Sequence, residues 1–252
     1  MLPMNKLSAV IITLNEERNI GRCLESLVDV ADEVVVVDAC STDGTHAICE
    51  RYGVRFDSHA WEGYIASKNY ANTLASNDLI LSIDADEALA PELAASIRQL
   101  KAQEVTGKAF SMNRRMNYCG QWIRHGGWYP DTKIRIFDRR MVQWTGKKVH
   151  ETLALPEGTR IEHLQGDLLH YSFYTREEHR RQMEQFATLS AQEMAEAGKC
   201  PGRLTAWVHT GWRFLRDYVF KAGFLDGSKG FDICRDNAYG VWYKYLKART
   251  LQ

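Results

Sequence analysis

Four strand-like runs, each followed by a polar turn and then a helical period, limit what this chain can fold into. In "SAVIITLNEERNIGRCLESL", Ala9–Leu14 is apolar except for Thr13, as a strand buried on both faces should be. Ile20, Cys23, Leu24, Leu27 and Val28 then recur at helical spacing, with Asn15 as the expected cap and Glu16 and Glu17 near the positive helix end. The scheme repeats with strand Val34–Val37, an acidic glycine-containing turn and a short helix. "VRFDS" reads as a third strand, "GYIASKNYANTLAS" as a helix, "LILSID" as a fourth strand, and "PELAASIRQL" as a helix with Pro91 in its first turn. This rhythm predicts an α/β fold, a parallel sheet with helices on both faces.

After Leu100 the rhythm changes. Lys108–Met116 and Lys133–Phe137 read as strands around an aromatic loop, "YCGQWIRHGGWYPD", in an irregular, antiparallel extension. Thr175 and Glu178 have capping-box spacing and open a helix to about Gly198, with Met183, Phe186, Leu189 and Met194 on one face. Arg203–Lys221 is again helical. The expected division is residues 1–172, made of a ligand-binding half (1–100) and a second half (101–172), followed by a helical region over 173–252.

Net charge is zero but unevenly placed. Residues 1–100 hold 7 Lys and Arg against 16 Asp and Glu, whereas residues 200–252 hold 9 against 4. An acidic front suits a cation, and a basic tail suits an anionic surface or substrate. The six cysteines show no C-x-x-C spacing, so a zinc site or disulfide framework is not expected and a reducing compartment is. The first apolar run, Leu7–Leu14, is short and ends in Asn-Glu-Glu, unlike a signal peptide, and no apolar stretch of about 20 residues exists to span a membrane. The expected location is cytoplasmic.

Parallel α/β sheets bind ligands at the carboxyl ends of their strands. Three such ends are polar here: Thr13, Asn15 and Glu16; Asp38 with Ser41, Asp43 and Gly44; and Asp84 with Asp86. Carboxylates as close as Asp84 and Asp86 become favourable together when a divalent cation neutralises them, and oxygen ligands suit Mg²⁺ or Mn²⁺. A lone D-x-D could equally be a cluster ahead of the helix at Pro91, and Asp38 alone could be a turn residue. Three aligned strand ends favour ligand contact.

In order and spacing, "VIITLNEE", "VVVVDACSTDGT", "SKNYA" and "LSIDADE" resemble glycosyltransferase family 2, the inverting nucleotide-sugar transferases of the GT-A fold. "TKIRIFDRR", "KKVHETL" and "GFLDGSKGF" resemble the subgroup that adds β-linked glucose to the inner core of lipopolysaccharide. The resemblance implies a UDP-sugar donor, with Thr13 and Glu16 near the nucleobase and ribose and Asp38 accepting from uracil. It places Lys68 near the nucleotide, where many members carry Arg, so the charge stays but the fork is lost. It places Asp84 at the ribose or a metal-bound water and makes Asp86 a metal ligand. An inverting transfer needs a base for the acceptor hydroxyl. Glu151 in "VHET" and Asp131 in "YPDTK" are the candidates, with Glu151 preferred. His150 is a second metal-ligand candidate or a packed histidine, and Arg135 a donor-phosphate ligand or a solvent-facing strand residue.

In "LTAWVHTGWRFLRDYVFKAGF" aromatics alternate with Arg213, Arg216 and Lys221. Two readings stay open: an interfacial helix on anionic lipid at the inner membrane face, or a core-packing helix with a basic outer face. Nucleic acid is not an expected partner, since no binding module for it is recognisable. A nucleotidyltransferase would need a glycine-rich loop after the first strand, and "TLNEERN" has none. A phosphatase of the Asp-x-Asp-x-Thr kind would need Thr where Ala88 stands. A non-catalytic sugar-nucleotide sensor would have little use for both Asp84 and Asp86.

Overall fold

The computed structural model describes residues 4–147, 150–198 and 202–251, with only the backbone of Lys147, His150 and Glu151. The chain forms two compact units, Met1–Arg114 with Asp131–His170, and Arg115–Pro130 with Tyr171–Gln252.

The first unit opens with the expected alternation: β1 (Leu7–Thr13), α1 (Ile20–Leu27), β2 (Glu33–Asp38), α2 (Thr45–Tyr52), β3 (Arg55–Ser58), α3 (Tyr64–Leu74) and β4 (Leu79–Asp84). A three-residue strand, β5 (Glu87–Leu89), precedes α4 (Pro91–Leu100). Then come β6 (Lys108–Tyr118), β7 (Gln121–Trp122), β8 (Asp131–Asp138), β9 (Gln143–Lys147), β10 (His150–Ala154) and β11 (Arg160–Phe173). The main sheet runs β3-β2-β1-β4-β8-β6-β11-β5, with β7 paired to β6. The front strands pair in parallel, and β8 joins β4 antiparallel, as does β6 to β8. β9 and β10 form a separate antiparallel ribbon.

Strand alternation divides the apolar residues between two layers. Leu7, Ala9 and Ile11 of β1 and Leu81 and Ile83 of β4 pack with Leu24, Leu27, Leu93 and Ile97 from α1 and α4. Val10 and Ile80 point the other way, toward Ala71 of α3 and Trp144 of the ribbon. Helices therefore cover both faces, as the continuous apolar runs require.

Three local expectations change. Asn19, not Asn15, stands at the start of α1, because Asn15 turns left-handed (φ 55°) and its Oδ1 accepts from Thr42 N–H at 2.8 Å. Val28 caps the end of α1 and is exposed rather than packed. β5 lies where no strand was expected: Glu, Ala and Leu favour helix, but pairing with Leu168–His170 of β11 overrides that preference.

The second unit contains α5 (Arg176–Glu196), α6 (Arg203–Leu215), a π-helical turn (Arg216–Phe220), a 3₁₀ turn (Gly223–Asp226) and α7 (Gly227–Thr250). The capping box is present, with Thr175 Oγ1 accepting from Glu178 N–H and Glu178 accepting from Thr175 N–H. α5 buries His179, Ala187 and Ala191, whereas Phe186 and Leu189 of the expected face are half exposed. In "GFLDGSKGF" a Cβ on Gly230 would sit 2.0 Å from Gly223 O, so that glycine lets α7 approach the 3₁₀ turn.

Gly166 in β11 has φ +95°, and a Cβ there would meet Leu93 N at 2.3 Å. Gly166→Ala is expected to cost about 3 kcal/mol through strain and overpacking, lowering Tm by about 10 °C. A thermal melt within about 2 °C of the parent would contradict this packing.

Candidate active site

Sheet register aligns the polar strand ends. Thr13 lies beside Asp38, and Ile12 beside Asp84. The chain then turns through Ala85 and Asp86 into β5, where Glu87 stands opposite His170 of β11. Two strand pairings thus bring together residues separated by more than 150 positions.

The three acids of "DADE" have different roles. Glu87 is buried, and its Oε1 accepts from Arg135 Nη2 at 2.7 Å and Arg114 Nη1 at 3.3 Å. Its Oε2 accepts from Asp84 N–H at 3.0 Å. Asp84 receives Arg135 Nη2 on Oδ2 at 2.7 Å and Lys68 Nζ on Oδ1 at 3.0 Å. Burial opposes the Asp84 charge, yet Arg135 and Lys68 hold its carboxyl far below the ordinary range. Arg135 is only 4% exposed, so the solvent-facing reading of that strand position is wrong. Lys68 also lies 4.6 Å from the centre of the Trp144 ring.

Asp86 is the acid that remains. Its Oδ2 lies 3.0 Å from His170 Nε2. Burial pushes the His170 imidazole down, but the Asp86 carboxylate outweighs this and the net shift is upward. Both residues line a cleft of about 510 Å³ together with Thr13, Glu16, Lys68 and Asp84, with Trp61 and Tyr64 also in its wall. Burial, then the charges of Asp86 and Asp43, raise the Glu16 carboxyl, against a hydrogen bond from Asn19. Among the described residues, Thr13 Oγ1 is buried without a hydrogen-bond partner. A second cleft of about 530 Å³ shares Lys68 and Asp84 and adds Arg114, Lys133, Arg135 and Thr152. His170 was not among the residues singled out from sequence; its signal was faint, one histidine within the apolar "LLHYSF".

Asn15 and Asp38 are not part of the first cleft's wall. Asn15 N–H donates to Ser41 Oγ at 2.7 Å, Glu16 N–H to Thr45 Oγ1 at 2.8 Å, and Gly44 N–H to Glu17 Oε2 at 2.8 Å. These bonds satisfy the amides of the two loops after β1 and β2, which neither loop could do alone. Asp38, 3% exposed, accepts from Ser41 N–H at 2.7 Å and from Ser41 Oγ.

Asp131 is clamped by Arg114 Nη2 at 2.7 Å and Lys133 Nζ at 2.9 Å. Burial would raise its carboxyl, but these cations hold it below the usual range, which weakens it as a proton acceptor. The side chains of His150 and Glu151 lie outside the described structure. Their backbone is in β10, paired with Lys147 and Gly146. Among the described residues, no three carboxylate, imidazole or thiol side chains converge as a metal site; Asp86 and His170 are a pair of such groups within the cleft wall.

A parallel front sheet, helices on both faces and acids gathered at the strand ends define an α/β protein with an acidic cleft at its strand ends. The model of the family described as glycosyl transferase family 2 matches residues 8–153. The lipopolysaccharide core biosynthesis glycosyltransferase LpsC of Rhizobium meliloti (strain 1021) is 34% identical, covering 100% of this chain and 93% of that one. An uncharacterized glycosyltransferase of Rickettsia bellii (strain RML369-C) is 28% identical over 98% of this chain and 87% of its own. Among solved structures, glucosyl-3-phosphoglycerate synthase from Mycobacterium tuberculosis, in complex with Mn²⁺, UDP and glucosyl-3-phosphoglycerate, is 24% identical, with 45% and 44% of the chains covered and a TM-score of 0.37. The chain belongs to glycosyl transferase family 2 and is a glycosyltransferase.

Glu87→Gln removes a buried charge from between two guanidinium groups and is expected to cost about 3–5 kcal/mol, measured by denaturant unfolding. Asp86→Asn, at a more open position, is expected to cost about 1 kcal/mol or less. Equal losses would contradict the division between a scaffold acid and a cleft acid.

Proposed function

We propose that the enzyme transfers a hexose, with glucose the leading expectation, from a UDP-sugar to a hydroxyl of a lipopolysaccharide inner-core saccharide, with inversion at C1. The observation that carries this reading is the Asp86–His170 pair, 3.0 Å apart in the wall of a cleft at the strand ends. Similarity to LpsC along the whole chain supports the class of acceptor. The basic second cleft, with Arg114, Lys133 and Arg135, suits a phosphorylated saccharide.

In this reading the nucleoside lies over Thr13 and Glu16. The unpartnered Thr13 hydroxyl can meet a polar edge of the ligand, and Glu16 can accept from ribose hydroxyls. The Asp38 oxygens, each already accepting from Ser41, keep lone pairs that could receive the uracil N–H. Lys68 and Arg135 hold Asp84 in place and add positive potential beside the diphosphate.

The Asp86 carboxylate suits Mn²⁺ or Mg²⁺, whereas the His170 imidazole favours the softer Mn²⁺, and these two residues would hold such an ion. When bound, the ion neutralises charge that develops on the departing diphosphate. Glu151 takes the proton from the acceptor hydroxyl. Its neighbour Thr152 lines the second cleft, and Asp131 is already held by two cations. Among the described residues no helix is long and apolar enough to cross a membrane. In this reading the enzyme works in the cytoplasm. A second reading keeps the donor chemistry but assigns another glycan or lipid acceptor.

UDP release from a panel of nucleotide sugars, with and without purified core oligosaccharide, tests the proposal. UDP-glucose stimulated by the core acceptor is the expected result. Release unaffected by that acceptor but stimulated by another glycan would favour the second reading. Glu151→Gln should lower kcat by roughly 10²–10⁴-fold with little change in UDP affinity, and Asp131→Asn should do less. The reverse ranking would move the base to Asp131.

A further inference from the structure

We infer that α6 and the two turns after it form a docking face for an anionic phospholipid surface. This rests on side chains of the second unit alone and is independent of the donor and acceptor proposed above.

Leu204, Val208, Trp212, Leu215 and Val219 recur at intervals of three and four, one stripe along a helix. In a surface helix such a stripe normally faces the core. Here it faces solvent: Leu204 is 77% exposed, Trp207 66%, Trp212 54% and Phe220 68%. Phe224 and Leu225 of the 3₁₀ turn extend it and are also exposed. The inward side is Ala206 and the π-helical Asp217, both buried, and His209 Nδ1 contacts Tyr245 OH at 2.6 Å. The helix is anchored by its other side, where Phe214 and Tyr218 pack against Phe231, while Trp207, Trp212 and Phe220 stay exposed. A row of exposed apolar side chains of this kind marks a binding site.

The charges indicate what it binds. Only two acids occur between Gly202 and Phe231, Asp217 and Asp226, and both are buried. Asp217 is paired with Arg213 and with Arg216 Nε at 2.8 Å. Asp226 accepts from His125 N–H at 2.7 Å and lies 3.0 Å from the His125 ring. Arg203 and Lys221, by contrast, are exposed, one at each end of the segment. Tryptophan and phenylalanine beside exposed cations, with every local carboxylate withdrawn, fit the interface of an anionic bilayer. A second copy of the chain would bring like charges together and is the poorer partner. With no membrane-crossing helix among the described residues, the element would lie in the plane of the headgroups.

Flotation of the full chain with vesicles of phosphatidylcholine alone, or mixed with phosphatidylglycerol, tests this. The chain should float with the anionic vesicles and much less with the neutral ones, and added salt should reduce binding. Combined Trp207→Glu and Trp212→Glu should reduce partitioning by more than tenfold, with melting and UDP binding unchanged. Leu204→Ser is a milder second variant acting in the same direction. Arg203→Gln and Lys221→Gln should each weaken binding by about fivefold. No flotation with anionic vesicles, or equal flotation with neutral ones, would overturn the inference. So would a lipid-free dimer, seen by light scattering, that the tryptophan changes dissolve.

Discussion

Arg135 lies buried in the sheet with one nitrogen, Nη2, 2.7 Å from Asp84 and 2.7 Å from Glu87. A guanidinium in that position is tolerable only while both carboxylates remain beside it, since a buried charge without a partner costs several kcal/mol. The pairing fixes the corner between β4 and β5. Glu87 also takes the Asp84 amide, so the turn between them has little freedom. That turn carries Asp86 into the cleft, and the pairing of β5 with β11 sets His170 beside it. Three acids in four residues are therefore two structural groups and one available ligand.

Much of this was legible in the sequence, and the omissions have physical causes. The four front strands and the first four helices were readable because apolar period and turn residues agree locally. Thr13, Glu16, Asp84 and Asp86 at the strand ends and Lys68 in α3 were singled out, and the structure brings all five into one cleft. β5 was missed because its helix-favouring residues become a strand only through a partner some eighty positions later. His170 was missed for the same reason, since its significance depends on that pairing. Asn15 looked like a helix cap because a cap and a loop-closing amide use the same side-chain chemistry. In α6 the period was readable, but period alone does not say whether a stripe faces a core or the outside.

The uneven charge of the chain now has a local meaning. The acidic front is partly internal, with Glu87 and Asp84 neutralised by Arg114, Arg135 and Lys68. Those cations come mostly from β6 and β8, the antiparallel extension, so the later strands complete a site that the earlier ones begin. The basic tail has three of its four carboxylates buried, Asp217, Asp226 and Asp236, and leaves cations beside exposed aromatics. Binding a charged donor and resting on a charged surface would thus draw on separate parts of the chain.

The proposed chemistry depends most on Asp86, rather than Asp84, being the acid that meets a donor-bound cation. Calorimetric titration of UDP with and without Mn²⁺, on the parent, Asp84→Asn and Asp86→Asn, measures this directly. The parent should bind UDP more tightly when Mn²⁺ is present. Asp86→Asn should abolish that gain, whereas Asp84→Asn should retain a substantial part of it. A full Mn²⁺-dependent gain in Asp86→Asn, with its loss confined to Asp84→Asn, would contradict the account.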